Sequence, residues 1–94
     1  MLEVTRDDKG EIALSGRFDA LQVEKVKPVL DQVTTSAIIN FKDLEYISSA
    51  GLGILLATQK RLMGSGHALT LIHLNSYVLN VFKYAGFDTI FKIE

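Results

Sequence analysis

Apolar and polar residues alternate at the start of the chain. Leu2 and Val4 have polar neighbours, and Ile12 and Leu14 repeat the alternation after residues 7–10, Asp-Asp-Lys-Gly. A period of two is typical of a β-strand with one buried face, and Asp and Gly between two such runs favour a tight turn. The pattern predicts an amino-terminal β-hairpin.

Residues 21–33 have helical spacing instead. Their apolar positions recur every three or four residues and would share one face: Val23, Val26, Leu30 and Val33. Pro28 lies inside this pattern, where it removes one hydrogen bond and clashes with the preceding turn. We therefore expect a helix that either begins late, near Glu24 or Lys25, or bends at Pro28.

Three further apolar runs predict strands. Residues 37–41 are mostly β-branched and almost continuously apolar, which is typical of a central strand covered on both faces. Residues 68–72 form a second candidate for a buried strand, and residues 89–93 a last one.

Two more helices are predicted between these strands. The first would bury Leu52, Leu55, Leu56, Leu62 and Met63, with Lys60 and Arg61 in its last turn and Gly64 and Gly66 at its end. Asn75 or Ser76 can cap the second, which would bury Val78, Val81, Phe82 and Ala85 and end at Gly86. The element order ββαβαβαβ predicts a single α/β domain over residues 1–94, with a mixed, partly parallel sheet covered by about three helices.

Composition restricts the possible functions. The chain has 94 residues, of which 48% are hydrophobic, and this suits one core. Ten Lys and Arg face eleven Asp and Glu, so no large basic field exists to hold nucleic acid or an anionic membrane. Without cysteine there is no disulfide and no thiolate metal cluster. No apolar run reaches about 18 residues and no signal-peptide pattern is present, so we expect a cytoplasmic domain with no membrane span.

The most informative segment is residues 43–53, Asp-Leu-Glu-Tyr-Ile-Ser-Ser-Ala-Gly-Leu-Gly. Here a buried strand gives way directly to a helix, whose first N–H groups have no intrahelical partners. Ser48 and Ser49 lie in this turn, where a serine can cap the helix or carry a phosphate close to those groups. The turn is expected at the carboxyl end of a central strand, where open α/β sheets commonly have their sites.

Catalytic motifs are absent from this turn. A nucleophile elbow requires Gly-x-Ser-x-Gly, and Ile47 stands where its first glycine should be. His67 and His73 are expected at strand ends, far from the serines in sequence, and further metal ligands cannot be placed around them. The two glycine motifs that bind nucleotide phosphates, Gly-x-x-x-x-Gly-Lys-Ser/Thr and Gly-x-Gly-x-x-Gly, do not occur. We therefore expect no enzyme, cofactor or metal site.

The segment from Ile38 to Gly53 resembles the signature of the bacterial anti-sigma factor antagonists, the STAS domain family. Residues 16–19, Gly-Arg-Phe-Asp, and residues 82–91 resemble the family's sequences before its first helix and at its end. The resemblance thus covers nearly the whole chain. It implies the STAS fold and a non-enzymatic, protein-binding function.

In that family a partner that is both anti-sigma factor and GHKL-type serine kinase phosphorylates the serine that aligns with Ser49. A PP2C-type phosphatase then restores binding to the anti-sigma factor, which releases its sigma factor. The family's aspartate before the acceptor is Ser48 here, which removes a charge and adds a second, less favoured acceptor. The resemblance implies a partner-binding surface formed by Asp19, Ser48, Ser49, Ala50, Gly51 and Leu52. It names no sigma factor and no oligomeric state.

Simpler roles stay open for these residues. Ser49 could be only the N-cap of the helix, and Ser48 only a turn residue. Gly51 and Gly53 could allow close helix packing, while Asp19 could cap the first helix or be a polar neighbour of the serine turn. The alternative function is a STAS domain without a switch, which scaffolds a signalling assembly or binds a nucleotide or other small ligand.

Overall fold

The computed structural model describes residues 1–94 and is built around a five-stranded sheet. The strands are β1 (Leu2–Arg6), β2 (Ile12–Phe18), β3 (Ala37–Ile47), β4 (Leu69–Ile72) and β5 (Lys92–Ile93). They lie side by side in chain order; β1 is antiparallel to β2, and all other neighbours are parallel. The predicted hairpin and the mixed sheet are confirmed.

Three helices complete the fold: α1 (Val23–Asp31), α2 (Ser49–Met63) and α3 (Ser76–Tyr84). Short 3-10 helices precede α1 at Ala20–Gln22 and β5 at Phe87–Thr89. The predicted element order is confirmed with these two additions, although the last strand is shorter than residues 89–93. None of the helices combines the length and the apolar character needed to cross a membrane.

The helices cover one face of the sheet. Alternate strand residues point into a single cluster of 19 buried side chains that also contains the inner faces of the helices. On β3, Ile39 and Phe41 belong to this cluster, whereas Ile38 is 40% exposed. The expectation that residues 37–41 are covered on both faces is therefore wrong, because no element packs over Ile38. Their central position in the sheet is confirmed.

Strand β3 is twice as long as the apolar run that predicts it. It continues through Lys42, Asp43 and Glu45, and its register against β2 shifts twice on the way. Such bulges insert extra residues on one strand and re-aim the side chains that follow. As a result, all four of these unevenly spaced side chains are buried: Ile39, Phe41, Leu44 and Ile47.

Helix α1 accommodates its proline on the solvent side. It begins at Val23, slightly earlier than expected, because the preceding 3-10 helix leads into it. Pro28 is exposed, so the carbonyl that loses its donor one turn back can be hydrated. Val26, Leu30 and Val33 are buried and Val23 is half-buried against the core, which confirms the predicted inner face.

The inner faces of α2 and α3 differ from the prediction at a few positions. Met63 is 55% exposed and Leu56 only half-buried, because the buried stripe of α2 runs through Thr58 and Gln59 instead. Met63 directly follows the buried Leu62 and is therefore turned away from the core by about 100°.

In α3, Ala85 is exposed because the helix ends before it, so its predicted burial is wrong. The predictions for the two ends of this helix are confirmed. Asn75 is the N-cap and accepts from the Val78 nitrogen at 2.8 Å. Gly86 ends the helix with a φ of 76°, a conformation that glycine adopts freely.

Candidate functional site

The serine turn joins the end of β3 to the start of α2 directly. Ser48 is the only residue between the two elements, and its backbone is extended. Its side-chain oxygen accepts a hydrogen bond from the Gly51 nitrogen at 3.1 Å, and its carbonyl accepts from the Leu52 nitrogen at 2.9 Å. Ser48 is therefore the N-cap, and the alternative that assigns this role to Ser49 is wrong. A residue caps from just outside the helix, and Ser49 is the first residue inside it.

Ser49 is left free by this arrangement. It is exposed, as is Ala50 beside it, and its hydroxyl forms no hydrogen bond within the chain. The first N–H groups of a helix lack intrahelical partners, and the Ser48 side chain accepts a hydrogen bond from only one of them, that of Gly51. The N–H groups of Ser49 and Ala50 thus face the open end of α2, next to an accessible hydroxyl.

Asp19 reaches the same edge of the sheet from the neighbouring strand. Phe18 and Ile47 are paired in register, and the Ser48 nitrogen donates to the Phe18 carbonyl at 2.8 Å. Asp19 and Ser48 therefore follow adjacent parallel strands. The Asp19 carboxylate also accepts from the Leu21 nitrogen at 3.1 Å and caps the first 3-10 helix. Asp19 thus serves both as a cap and as a polar neighbour of the turn.

The two glycines of the turn have different surroundings. A Cβ on Gly51 would lie 3.0 Å from Ile47 and 3.2 Å from Phe18, so the first turn of α2 packs directly on the ends of β2 and β3. A Cβ on Gly53 would meet nothing within 4 Å. Close packing therefore explains why residue 51 is a glycine, but it does not explain the glycine at position 53. With Leu52 also buried, the residues that can touch a partner at this turn are chiefly Ser49 and Ala50.

No charged side chain belongs to the first turn of α2, so the helix dipole is the main electrostatic feature of α2 at its amino-terminal end. No acidic residue lies in the first turn of α2, and its two basic residues, Lys60 and Arg61, lie in the last turn. The helix dipole places partial positive charge at the Ser49 end, which favours an anion there by about 0.3–1 kcal/mol. A phosphate on Ser49 would therefore suit the helix without any cationic side chain beside it in that turn.

A row of three side chains next to the turn was not predicted from the sequence. The guanidinium carbon of Arg17 lies 4.4 Å from the centre of the Tyr46 ring. The rings of Tyr46 and Tyr77 also stack, with centres 6.3 Å apart and an interplanar angle of 22°. Strand pairing brings Arg17 to Tyr46, but Tyr77 arrives from α3, and no local pattern indicates that contact.

The two histidines lie at strand ends, as predicted. His67 precedes β4 with its Nδ1 atom 3.5 Å from the Ser36 hydroxyl, and His73 follows β4. No group of three or more His, Cys, Asp or Glu side chains comes together in a way that could hold a metal ion. One small cavity of about 240 Å³ lies between α1 and α2, lined by Lys27, Leu30, Asp31, Ile54, Ala57, Thr58 and Arg61.

Comparison with known proteins decides the family. The family model described as "Mlab, STAS domain" matches residues 1–93. The chain belongs to the STAS domain family, which includes the anti-sigma factor antagonists. BtrV of Bordetella bronchiseptica, named as such an antagonist, is 33% identical over 79 residues, covering 84% of this chain and 67% of BtrV.

Solved STAS structures share the fold. An anti-sigma factor antagonist from Mycobacterium paratuberculosis superimposes with a TM-score of 0.83 at 20% identity, covering 99% of this chain and 83% of the other. Unphosphorylated SpoIIAA, also described as an anti-sigma factor antagonist, gives a TM-score of 0.73 at 22% identity, covering 100% of this chain and 88% of SpoIIAA. The structure of phosphorylated SpoIIAA from Bacillus gives 0.71 at 18% identity, covering 100% and 91%. The five-stranded mixed sheet with its helices is thus the STAS fold.

Proposed function

We propose that this chain is an anti-sigma factor antagonist that binds an anti-sigma factor when unphosphorylated and is released when Ser49 is phosphorylated. The observation that carries the proposal is the division between two adjacent serines. Ser48 is engaged as the N-cap at 3.1 Å from the Gly51 nitrogen, whereas Ser49 is exposed and has a free hydroxyl. The relatives support the same function, because BtrV and SpoIIAA are named as antagonists and SpoIIAA has a phosphorylated form.

The modifying enzyme would be the anti-sigma factor itself, acting as a GHKL-type serine kinase. The Ser49 oxygen forms a bond to the γ-phosphorus of ATP while the bond to the leaving ADP oxygen breaks. The hydroxyl proton passes to a base of the kinase. This chain supplies only the accessible hydroxyl, and it therefore acts as substrate and binding partner rather than as an enzyme.

Phosphorylation changes charge more than structure. A phosphoserine carries about −1.5 to −2 charges, and the amino-terminal end of a helix favours them. The fold should therefore tolerate the group. A docked partner should not tolerate the phosphate, because burying an unpaired charge costs several kcal/mol. A loss of about 1.4 kcal/mol already weakens binding tenfold. Phosphorylation can release the partner while the domain stays folded.

Reversal requires a phosphatase, which we expect to be of the PP2C type. Hydrolysis of the Ser49 phosphate returns the neutral hydroxyl and restores binding to the anti-sigma factor, which then releases its sigma factor. All of these partners act in the cytoplasm. The binding surface centres on Ser49 and Ala50, which are exposed, and extends to Ser48 and Asp19 at the ends of the adjacent strands.

Mass spectrometry tests the acceptor directly. Each GHKL-type serine kinase encoded in the same genome is purified and incubated in turn with this chain and ATP, and tandem mass spectrometry locates any phosphate. We expect one kinase to add a single phosphate at Ser49. Ser49→Ala should lose it, and Ser48→Ala should keep it, because Ser48 serves only as a cap. Phosphate on Ser48 alone, or persisting in Ser49→Ala, would contradict the assignment.

A STAS domain without a switch is the second candidate. One observation favours it: Ser48 replaces the family's aspartate. In that case the same edge of the sheet would bind a scaffold or a small ligand without modification. The absence of phosphorylation by every kinase in the experiment above would favour this candidate over the first.

A further inference from the structure

We infer that Arg17, Tyr46 and Tyr77 form a second contact for the partner beside Ser49, one that pairs with a carboxylate on the partner's surface. The inference rests on the proposed function and adds to it the chemistry of the partner. The three side chains form a row at the carboxyl end of β3, and Tyr46 stands only three residues before Ser49. We call these three residues the aromatic row.

Arg17 is the unexplained member of this row. The chain has three arginines, and two of them donate to backbone carbonyls: Arg6 to Gly10, and Arg61 to both Leu30 and Val33. The Arg17 guanidinium forms neither an ion pair nor a hydrogen bond within the chain. It is exposed and lies against the Tyr46 ring at 4.4 Å. Its donors are thus unused, and the ring limits its freedom before any partner arrives.

Tyr77 is likewise exposed without a structural need. Its side chain is 52% exposed although it stacks on Tyr46, which is half-buried. Tyrosine and arginine are the residue types that most often carry the binding energy of protein interfaces, because they offer large rigid surfaces together with hydrogen-bond donors. An exposed arginine over the Tyr46 ring, which itself stacks on the exposed Tyr77, therefore suits a contact with a protein partner.

Charge complementarity identifies what the partner offers. A guanidinium with free donors binds a carboxylate in a bidentate manner, and it does so best where neighbouring rings exclude water. The partner should therefore present an aspartate or glutamate to Arg17, with apolar surface against Tyr77.

The sign of that charge agrees with the proposed switch. A partner carboxylate held at Arg17 would lie close to the serine turn, since Arg17 pairs with Tyr46 in the sheet. A phosphate on Ser49 would repel this carboxylate as well as resist burial. Release on phosphorylation then has two electrostatic causes that act in the same direction.

Calorimetric titration tests the inference with the purified kinase that phosphorylates Ser49. Arg17→Ala and Tyr77→Ala should each weaken binding by about tenfold or more, and Arg17→Glu should weaken it further. Tyr84→Ala is the matched aromatic control, because Tyr84 ends the same helix about 10 Å away and is 90% exposed. Arg6→Ala is the cationic control, at the opposite end of the sheet. Both controls should stay within about threefold of the parent.

A further variant tests the sign of the partner's charge. Glu45 is exposed and directly precedes Tyr46, so Glu45→Gln should leave affinity unchanged or increase it if the partner is acidic there. A marked loss would mean that the partner offers a cation instead, and would overturn the inference. Circular dichroism melts confirm that each variant is folded.

The outcomes separate the two proposals. If Ser49 is phosphorylated but Arg17→Glu and Tyr77→Ala bind as the parent does, the aromatic row is not a contact and the switch stands. If no kinase phosphorylates Ser49, the proposed function fails and the inference fails with it.

Discussion

The side-chain oxygen of Ser48 accepts a hydrogen bond from the backbone nitrogen of Gly51, at a distance of 3.1 Å. This bond gives the two adjacent serines different roles. Ser48 holds the first turn of α2 in place, and Ser49, one residue later, points its hydroxyl to solvent. A chain that presents a modifiable hydroxyl on a fixed helix end can change its surface charge without changing its fold.

The two serines should therefore differ in their effect on stability. Ser48→Ala removes the cap and should lower the free energy of unfolding by about 0.5–2 kcal/mol. Ser49→Ala removes an exposed hydroxyl and should change it by less than about 0.5 kcal/mol. Urea unfolding of both variants measures the difference. Equal losses, or a larger loss for Ser49→Ala, would mean that the cap is wrongly assigned.

The glycines of the turn form a second matched pair. Gly51→Ala places a Cβ 3.0 Å from Ile47 and 3.2 Å from Phe18, so we expect a loss of about 1–3 kcal/mol in stability. Gly53→Ala meets open space inside a helix and should raise stability by about 0.5–1 kcal/mol. Thermal melts of the two variants should move in opposite directions. A rise in stability for both variants would show that Gly51 has room for a Cβ, and a loss for both would show that Gly53 does not.

The core face of α2 can be tested with three truncations. Leu55 is fully buried, so Leu55→Ala should cost about 2–5 kcal/mol. Leu56 is half-buried and should cost less, and Met63→Ala should stay within about 0.5 kcal/mol, because Met63 is 55% exposed. Urea denaturation gives the three values. The description of this helix would be wrong if Met63→Ala cost as much as Leu55→Ala.

Gln59 makes the most informative buried polar contacts. Its amide nitrogen donates to the Ile90 carbonyl and its oxygen accepts from the Leu69 nitrogen, both at 2.8 Å. Gln59→Met keeps the size of the side chain but leaves both groups unpaired, at about 1–3 kcal/mol each. Lys60→Met on the exposed neighbouring position is the control. Hydrogen exchange at the Leu69 amide should become faster in Gln59→Met only. Unchanged exchange would show that the hydrogen bond to Gln59 does not protect this amide.

Local patterns predicted most of the fold. The alternation at Leu2 and Val4 and the helical stripe at Val26 and Leu30 are properties of neighbouring residues, and they correspond to β1 and α1. The extension of β3 was missed because its charged residues break the alternation, and only pairing with β2 reveals the bulges that restore the inward direction. The burial of Gln59 was missed for a similar reason, since both of its partners are distant in sequence.

The geometry of the candidate site was predicted in part. The position of the serine turn followed from the order of strand and helix, and Asn75 was correctly identified as one of two candidate caps for α3. Which serine caps α2 depends on where the helix begins, and a pattern alone does not resolve a one-residue difference. The aromatic row depends on the pairing of β2 with β3 and on the contact between β3 and α3, so neither Arg17 nor Tyr77 could be selected from the sequence.

The proposed switch is tested most directly by comparing the affinity of the purified kinase for the parent chain, for Ser49→Ala and Ser49→Asp, and for the chain carrying authentic phosphoserine at position 49. Calorimetric titration should show at least about tenfold weaker binding of the phosphorylated chain and of Ser49→Asp, whereas Ser49→Ala should bind within about threefold of the parent. Circular dichroism melts should show that all four are folded, with the phosphorylated chain and Ser49→Asp at least as stable as the parent, because the amino-terminal end of α2 favours an anion. Equal affinities of the phosphorylated and unphosphorylated chains would contradict a phosphorylation switch at Ser49.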